Sequence, residues 1–242
     1  MTDIVIRQFP CLQDNYGFLV HEPQSGETVA IDTPDAERIQ YEAEKAGWTL
    51  TQIWNTHHHF DHAGGNLAAK AATGATIVAP RYDAHRIDGI DVPVGDGDTV
   101  SLGNARAKVM YTPGHTTGHI IYWFEDQKIA FVGDTLFALG CGRLFEGSPA
   151  DMFASLSRLA ALPPNTTLYC AHEYTQANAR FALTVDPDNA ALQAYAREVE
   201  ERRARDEPTV PTTLDKELAA NPFLRAKTVE AFADVRARKD RF

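Results

Sequence analysis

The chain of 242 residues has little sulfur: three cysteines (Cys11, Cys141 and Cys170) and three methionines. An odd number of widely spaced cysteines, none in a CxxC pair, excludes a disulfide framework and argues against structural zinc held by thiolates. No apolar run approaches the ~18–20 residues needed to cross a bilayer, so no membrane partner is expected. The start, Met-Thr-Asp-Ile-Val-Ile-Arg, lacks both a basic-then-apolar leader and an Arg/Ser-rich transit region, which makes the cytoplasm the expected compartment. Positive charge is also short. With 23 Lys and Arg against 33 Asp and Glu, the formal net charge is −10, which disfavours nucleic acid as a partner. One segment departs from this balance. Residues 221–242 carry Arg225, Lys227, Arg236, Arg238, Lys239 and Arg241 against Glu230, Asp234 and Asp240. Most of these charges read as a solvated helix face, with room for one or two to hold a small anion.

What remains is ordinary for a globular protein with a real core: 44% hydrophobic and 23% charged residues. To about residue 172 the text is short β-like runs: 4–6, 18–21, 28–31, 52–55, 76–79, 106–111, 120–124, 129–132 and 168–170. Helical patterns interrupt them at 35–46, 62–72 and 149–161. Ser148-Pro149-Ala150-Asp151 is a good helix start, and Pro163-Pro164 a stop. Strands with intervening helices indicate a layered α/β domain. After residue 173 the text becomes helical, at 175–185 and 188–205, and Pro208-Thr-Val-Pro211 breaks it before weaker helical text to the end. The expected division is 1–172 for an α/β domain and 173–242 for a helical appendage packed on it.

The densest signal is Thr56-His57-His58-His59-Phe60-Asp61-His62, which holds four of the nine histidines. Each imidazole offers one nitrogen lone pair near neutral pH, and a divalent ion needs several converging on one point. The segment follows a strand-like run and precedes Ala63-Gly-Gly, a helix entrance, so it sits on a strand-to-helix turn where α/β proteins commonly place chemistry. In extended chain His57 and His59 share a face and His58 faces away. Asp61 and His62 fall where the chain turns and can address a second spot nearby. The competing reading is an accidental histidine run, or a network in which Asp61 caps the helix.

Three further polar sites end predicted strands: His115 within Thr112-Pro-Gly-His-Thr-Thr-Gly-His119, Asp134 in Gly133-Asp-Thr135, and His172 in Ala171-His-Glu-Tyr174. If these rims coincide, His57, His59 and His115 can bind one metal and Asp61, His62 and His172 another. Asp134, with two oxygens, can bridge a pair about 3.5–4 Å apart that shares a water. Taken singly, His115 could be a turn histidine, Asp134 a strand-end cap and His172 a core histidine. His21 and His85 read as surface residues, and His58 and His119 as supports rather than ligands. Asp32, closing Val29-Ala-Ile31, could orient a ligating imidazole or simply end a strand. Cys141 has no histidine evidently paired with it and reads as a loop element.

In their order, His57-x-His59-x-Asp61-His62, His115, Asp134 and His172 resemble the metallo-β-lactamase superfamily. Within it the chain is similar to the glyoxalase II (hydroxyacylglutathione hydrolase) branch. The segments that carry this are Asp14-Asn15-Tyr16, Thr56–Asn66, Tyr111–His119, Gly133-Asp-Thr-Leu-Phe137, Gly140-Cys-Gly-Arg-Leu-Phe-Glu-Gly147, His172-Glu-Tyr-Thr175 and Asn221-Pro-Phe-Leu-Arg225. The resemblance implies a four-layer αββα sandwich with a dinuclear site at one edge and a C-terminal helical domain that helps bind glutathione. It implies two divalent ions, zinc by preference with iron or manganese as options. It implies the seven residues as the ligands, with Asp61 and Asp134 acting in catalysis. It implies Arg143, Tyr174, Arg225 and Lys227 as contacts to a small-molecule glutathione thioester; a monomer is the expected form, though sequence leaves the oligomeric state open. The expected reaction is hydrolysis of S-2-hydroxyacylglutathione, as in S-lactoylglutathione to D-lactate, the second step of methylglyoxal detoxification. Arg143 stands where lysine is familiar, and Phe145 where a tyrosine often adds a hydroxyl. A persulfide dioxygenase, a lactonase and a non-catalytic metal- or glutathione-binding module are the competing readings.

Overall fold

The computed structural model describes residues 3–242. It divides into two compact units: the chain through Tyr111 with Gly118–Phe131, and Thr112–Thr117 with Val132–Phe242.

The first unit begins with β1 (Val5–Cys11), β2 (Asn15–Glu22) and β3 (Glu27–Ile31), then α1 (Ala36–Ala46), β4 (Leu50–Trp54), α2 (Phe60–Ala63), α3 (Asn66–Thr73), β5 (Thr76–Pro80) and β6 (Val92–Val94). The six strands form one sheet in sequence order. β1, β2 and β3 are antiparallel, whereas β3 through β6 run parallel. Then β7 (Thr99–Leu102), β8 (Ala105–Tyr111), β9 (Ile120–Phe124) and β10 (Ile129–Gly133) pair as an antiparallel meander.

Alternation along β4 shows how the layers arise. Ile53 points to the cluster formed with Ile39 and Ala43 of α1 and Ala69 of α3. Its neighbour Trp54 points the other way, with ring centroids 5.2 Å from Tyr122 and 5.8 Å from Phe124 of β9. One strand thus fills two hydrophobic layers, as a period of two requires. α1 starts where the Asp35 side chain accepts the Arg38 N–H and ends at Gly47 in the left-handed conformation, φ 72°.

Three differences from the sequence pattern have local causes. β1 continues past the expected 4–6 through Pro10, which an edge strand tolerates because one row of its N–H groups needs no partner. β6, with Pro93, is likewise an edge strand and does not register as a strand from sequence. The helix expected at 62–72 is two pieces, because the chain at Gly64-Gly65 must approach another segment. Gly65 N–H donates to Thr33 O at 3.0 Å, and a Cβ on Gly65 would lie 2.7 Å from that oxygen.

The second unit contains β11 (Leu136–Phe137), β12 (Gly140–Cys141), α4 (Pro149–Ala160), β13 (Thr167–Cys170), α5 (Thr175–Val185), α6 (Ala190–Arg203), β14 (Thr212–Thr213), α7 (Leu214–Ala220), α8 (Pro222–Arg225) and α9 (Val229–Asp240). β11 and β12 form a tight hairpin, and β13 pairs antiparallel with β14. Ser148 and Asp151 form the reciprocal cap expected of α4. α6 begins later than expected because the side chain of Asn189, not Asp188, accepts the Leu192 N–H. Leu139 packs with Ala179 and Ala182 of α5, Leu192 and Tyr195 of α6 and Ala220 of α7. Phe181, Phe223 and Phe232 link α5, α8 and α9. Residues after 173 thus share one compact unit with Val132–His172 and Thr112–Thr117. Among the described residues no helix is long and apolar enough to cross a membrane.

Candidate metal centre and cationic cavity

Two sets of ligand-type side chains stand out, one in each unit. The first follows from the parallel pairing of β3 and β4, which brings the carboxyl ends of both strands to one edge. Asp32, just past β3, donates its N–H to Trp54 O and adopts φ 59°. Its Oδ1 accepts the Thr56 N–H at 2.7 Å, and its Oδ2 accepts the Thr56 hydroxyl at 2.8 Å and lies 2.8 Å from His62 Nδ1. A carboxylate can only accept, so His62 Nδ1 carries the proton and Nε2 is its acceptor nitrogen. That nitrogen lies 3.5 Å from Asp61 Oδ2. Thr56, having donated to Asp32, receives His57 Nδ1 at 3.0 Å, which leaves His57 Nε2 as the acceptor; it lies 3.0 Å from His59 Nδ1. His119 stacks on His57 with centroids 4.8 Å apart.

His58 points away, as its position predicts. Its Nδ1 is 3.3 Å from the fully buried Asp83, which also binds Arg86. Asp61 does not cap α2. The cap position is His59, which makes no side-chain cap bond, and Asp61 instead receives the Asn15 amide at 3.0 Å on Oδ2. His21 is half-buried, stacked on Trp48 with centroids 4.6 Å apart, and His85 is exposed.

The second set centres on Asp134, which follows β10. Its Oδ2 is 3.3 Å from His115 Nε2 and its Oδ1 is 3.4 Å from His172 Nε2. All three residues are buried. His115 Nδ1 donates to Arg143 O at 2.8 Å, so Nε2 is again the acceptor nitrogen. The glycines of Gly140–Gly147 permit this packing. A Cβ on Gly142 would lie 2.1 Å from Asp134 O and 3.0 Å from His115 Nδ1, and one on Gly147 would meet Gly114 Cα at 2.6 Å.

In both sets acceptor faces acceptor: His62 Nε2 toward Asp61, and His115 Nε2 toward Asp134. Lone pairs so opposed are reconciled by a proton or a metal ion between them, and imidazole nitrogens with carboxylate oxygens are the donor set a divalent ion takes. The donor types in both sets are ones a metal takes. Four of the seven, His57, Asp61, His62 and His115, also have an outer hydrogen-bond partner of the kind that fixes ligand orientation.

Beside His115 and Asp134 the second unit opens a cavity of about 410 Å³, lined by Arg143, Phe145, Tyr174, Arg236 and Lys239 with Phe137 and Cys141. Tyr174 stacks on His172, centroids 4.7 Å apart and planes 3° apart. Half-burial, with Arg236 and Arg143 nearby, lowers the Lys239 ammonium to about 8. Burial pushes the Cys141 thiol up to about 11, which argues against a nucleophilic thiolate. Of the expected substrate contacts, Arg143 and Tyr174 line this cavity. Arg225 does not: its Nε pairs with Asp186 at 3.2 Å and its Nη1 donates to Ala219 O. Lys227 also falls outside the lining and is exposed. Arg236 and Lys239 were not singled out from sequence. Their signal was the basic run near the C-terminus, and helix register decides which of its members turn inward.

Comparison with known proteins bears on both sets. The family model described as Metallo-beta-lactamase superfamily matches residues 12–172, and one described as Hydroxyacylglutathione hydrolase C-terminus matches residues 173–242. A hydroxyacylglutathione hydrolase of Maricaulis maris is 64% identical, covering 100% of both chains. The chain belongs to the hydroxyacylglutathione hydrolase family. Members from Hyphomonas neptunium and Erythrobacter litoralis are 56% and 57% identical, over 99% and 98% of this chain and 98% and 99% of theirs. Among solved structures, ETHE1 from Myxococcus xanthus superposes with a TM-score of 0.74 at 26% identity, covering 96% of this chain and 90% of that one. The BLEG-1 B3 metallo-beta-lactamase superposes with a TM-score of 0.70 at 21% identity, over 91% and 99%, which speaks to fold alone. The chain has the metallo-β-lactamase fold with the C-terminal helical domain of hydroxyacylglutathione hydrolases.

Proposed function

We propose that the protein is a metal-dependent thioester hydrolase that cleaves S-2-hydroxyacylglutathione to a 2-hydroxy acid and glutathione. S-lactoylglutathione, giving D-lactate in the second step of methylglyoxal detoxification, is the proposed substrate. The observation that carries the reading is Asp134. Its Oδ2 faces the acceptor nitrogen of His115 and its Oδ1 faces Nε2 of His172, beside a cavity edged with three cations. Membership of the hydroxyacylglutathione hydrolase family supports it independently.

In this reading His57, His59 and His115 hold one divalent ion, Asp61, His62 and His172 a second, and Asp134 serves both. Zinc is the proposed metal, with iron and manganese as the options the same donors accept. When bound, such ions acidify water and polarise a carbonyl. The chain's own groups do the rest. Asn15, by binding Oδ2 of Asp61, fixes the carboxylate that would orient the attacking water. Arg143, Lys239 and Tyr174 hold the glutathione portion, the cations meeting its carboxylates. A thiolate leaves readily, so no general acid is assigned. Arg225 and Lys227 drop out as direct contacts, because Asp186 already engages the one and the other stands clear of the cavity. Residues 1–172 form the catalytic part and 173–242 the substrate-binding part of a cytoplasmic monomer.

Zinc-loaded protein should turn over S-lactoylglutathione in preference to a lactone, a β-lactam or glutathione persulfide. It should contain close to two ions per chain. High thioesterase activity surviving thorough demetallation would overturn the proposal.

A further inference from the structure

Asn221-Pro-Phe-Leu-Arg225 stands out in the sequence, yet neither the ligand sets nor the cavity lining uses it. Its asparagine is fully buried, and its side chain is turned away from solvent onto the β11–β12 hairpin. Nδ2 donates to Phe137 O at 3.2 Å, Gly140 O at 3.0 Å and Glu217 Oε2 at 3.0 Å, while Oδ1 accepts the Phe223 N–H at 3.0 Å. The other polar groups of the hairpin are held in the same manner. Glu217 accepts the Leu139 N–H at 2.8 Å, Asn178 donates to Ala138 O at 3.1 Å, and Arg236 donates to Cys141 O at 2.9 Å. The backbone groups that this tight hairpin turns away from its own short ladder are thus satisfied by side chains of α5, α7, α9 and the α7–α8 junction.

This turn is strained and tightly approached. Leu139 has φ 58°, a conformation a branched side chain rarely adopts. Gly140 is needed because a Cβ there would lie 2.4 Å from Asn178 Nδ2. Such strain persists only where the surroundings over-determine the backbone, and it concentrates at functional sites. The hairpin presents Phe137, whose ring stands perpendicular to His172 (5.7 Å, 84°) and to Tyr174 (5.2 Å, 81°). Those two rings are parallel to each other, so Phe137 sets the direction of both.

We infer that Asn221 is a positioning residue: by clasping the Phe137–Gly140 turn it holds Phe137 against His172 and Tyr174, and so fixes a metal ligand and a substrate contact together. The inference rests on reading His172 as a ligand and Tyr174 as a glutathione contact. Asn221 touches neither metal nor substrate. It acts through one turn and one ring.

The test compares zinc-loaded wild type with Asn221→Ala, Phe137→Leu and Asn189→Ala. The last removes the α6 cap without touching the hairpin. Zinc release to a competing chelator is followed without substrate, and thermal stability separately. Loss of a ligand's outer support costs about tenfold or more in metal affinity. Asn221→Ala and Phe137→Leu should therefore release zinc about tenfold faster, whereas Asn189→Ala should melt earlier but release at the wild-type rate. Equal release by Asn221→Ala and Asn189→Ala would overturn the inference. Should Asn221→Ala fail to fold, Phe137→Leu decides, because it leaves every clasp hydrogen bond in place; wild-type release by that variant overturns it. Wild type that retains zinc but leaves S-lactoylglutathione intact would sink the hydrolase reading, and with it the role given to Tyr174, and leave the positioning of His172 standing. Wild type that retains no zinc would overturn both.

Discussion

The two ligand sets solve one problem in opposite ways. In the first unit four of the seven proposed ligands lie within the six positions His57–His62, and their supports come from neighbouring strand ends: Asp32 past β3, Thr56 past β4 and Asn15 at the start of β2. In the second unit His115, Asp134 and His172 come from three separate strand ends and are organised around one carboxylate. Their supports are a backbone carbonyl, Arg143 O, and aromatic rings. A set compact in sequence can be anchored by a few hydrogen bonds at one sheet edge. A dispersed set depends on loops closing against each other, which is why Gly142, Gly147 and Gly114 crowd around it.

That contrast can be broken most decisively at Asp134. Asp134→Ala should empty both proposed metal positions and lower kcat/KM about a thousandfold or more, since several kcal/mol of transition-state stabilisation depend on the ions. Metal analysis showing that one ion stays would mean the two sets are independent, and the bridging role would be wrong. The next largest effect is expected at Asp32. Asp32→Ala removes the acceptor that fixes both His62 and Thr56, and should weaken metal affinity about 10- to 100-fold. A chelator titration would show it, and unchanged affinity would mean the compact set does not need its outer anchors.

A smaller and different effect is expected at Lys239. Replacing it by alanine should raise KM for the glutathione thioester about tenfold and spare kcat, because it touches the handle and not the reacting carbon. Its ammonium titrates at about 8. The charge is present below that pH and lost above it, so KM should climb as pH rises through about 8. The Lys239→Ala variant should lose that part of the profile, which initial rates across pH would reveal. The smallest effect belongs to Arg225. Its guanidinium is spent on the partly exposed Asp186, so Arg225→Ala should change KM by less than about twofold and stability by no more than about 1 kcal/mol. A large rise in KM would restore it as a substrate contact.

Most of the catalytic layer was legible because it follows short-range rules. Strand periodicity put His57 and His59 on one side and His58 on the other, and His58 indeed turns to Asp83. The caps of α1 and α4 lie where the residue types demand. The edge strands β1 and β6 were harder, since Pro10 and Pro93 erase the usual strand signal where no partner is required. The cation assignment was harder still. Arg225, Lys227, Arg236 and Lys239 lie within fifteen positions, and nothing in residue type distinguishes them. α8 turns Arg225 toward Asp186, while α9 turns Arg236 and Lys239, three positions apart, to one side.

The amino-acid sequence by itself determined which donors stand at which strand ends, their order, and the glycines that let loops close over them. These are properties of neighbouring residues, and local geometry reads them directly. Which imidazole nitrogen keeps its proton was decided only by the folded chain, because Asp32, Thr56 and Arg143 O reach their histidines through pairings distant in sequence or specific to the turn. The same holds for the cations that line the cavity and for Asn221, whose partners Phe137 and Gly140 lie more than eighty positions away. A side chain's direction is set by what it packs against, and that is known only once distant segments have met.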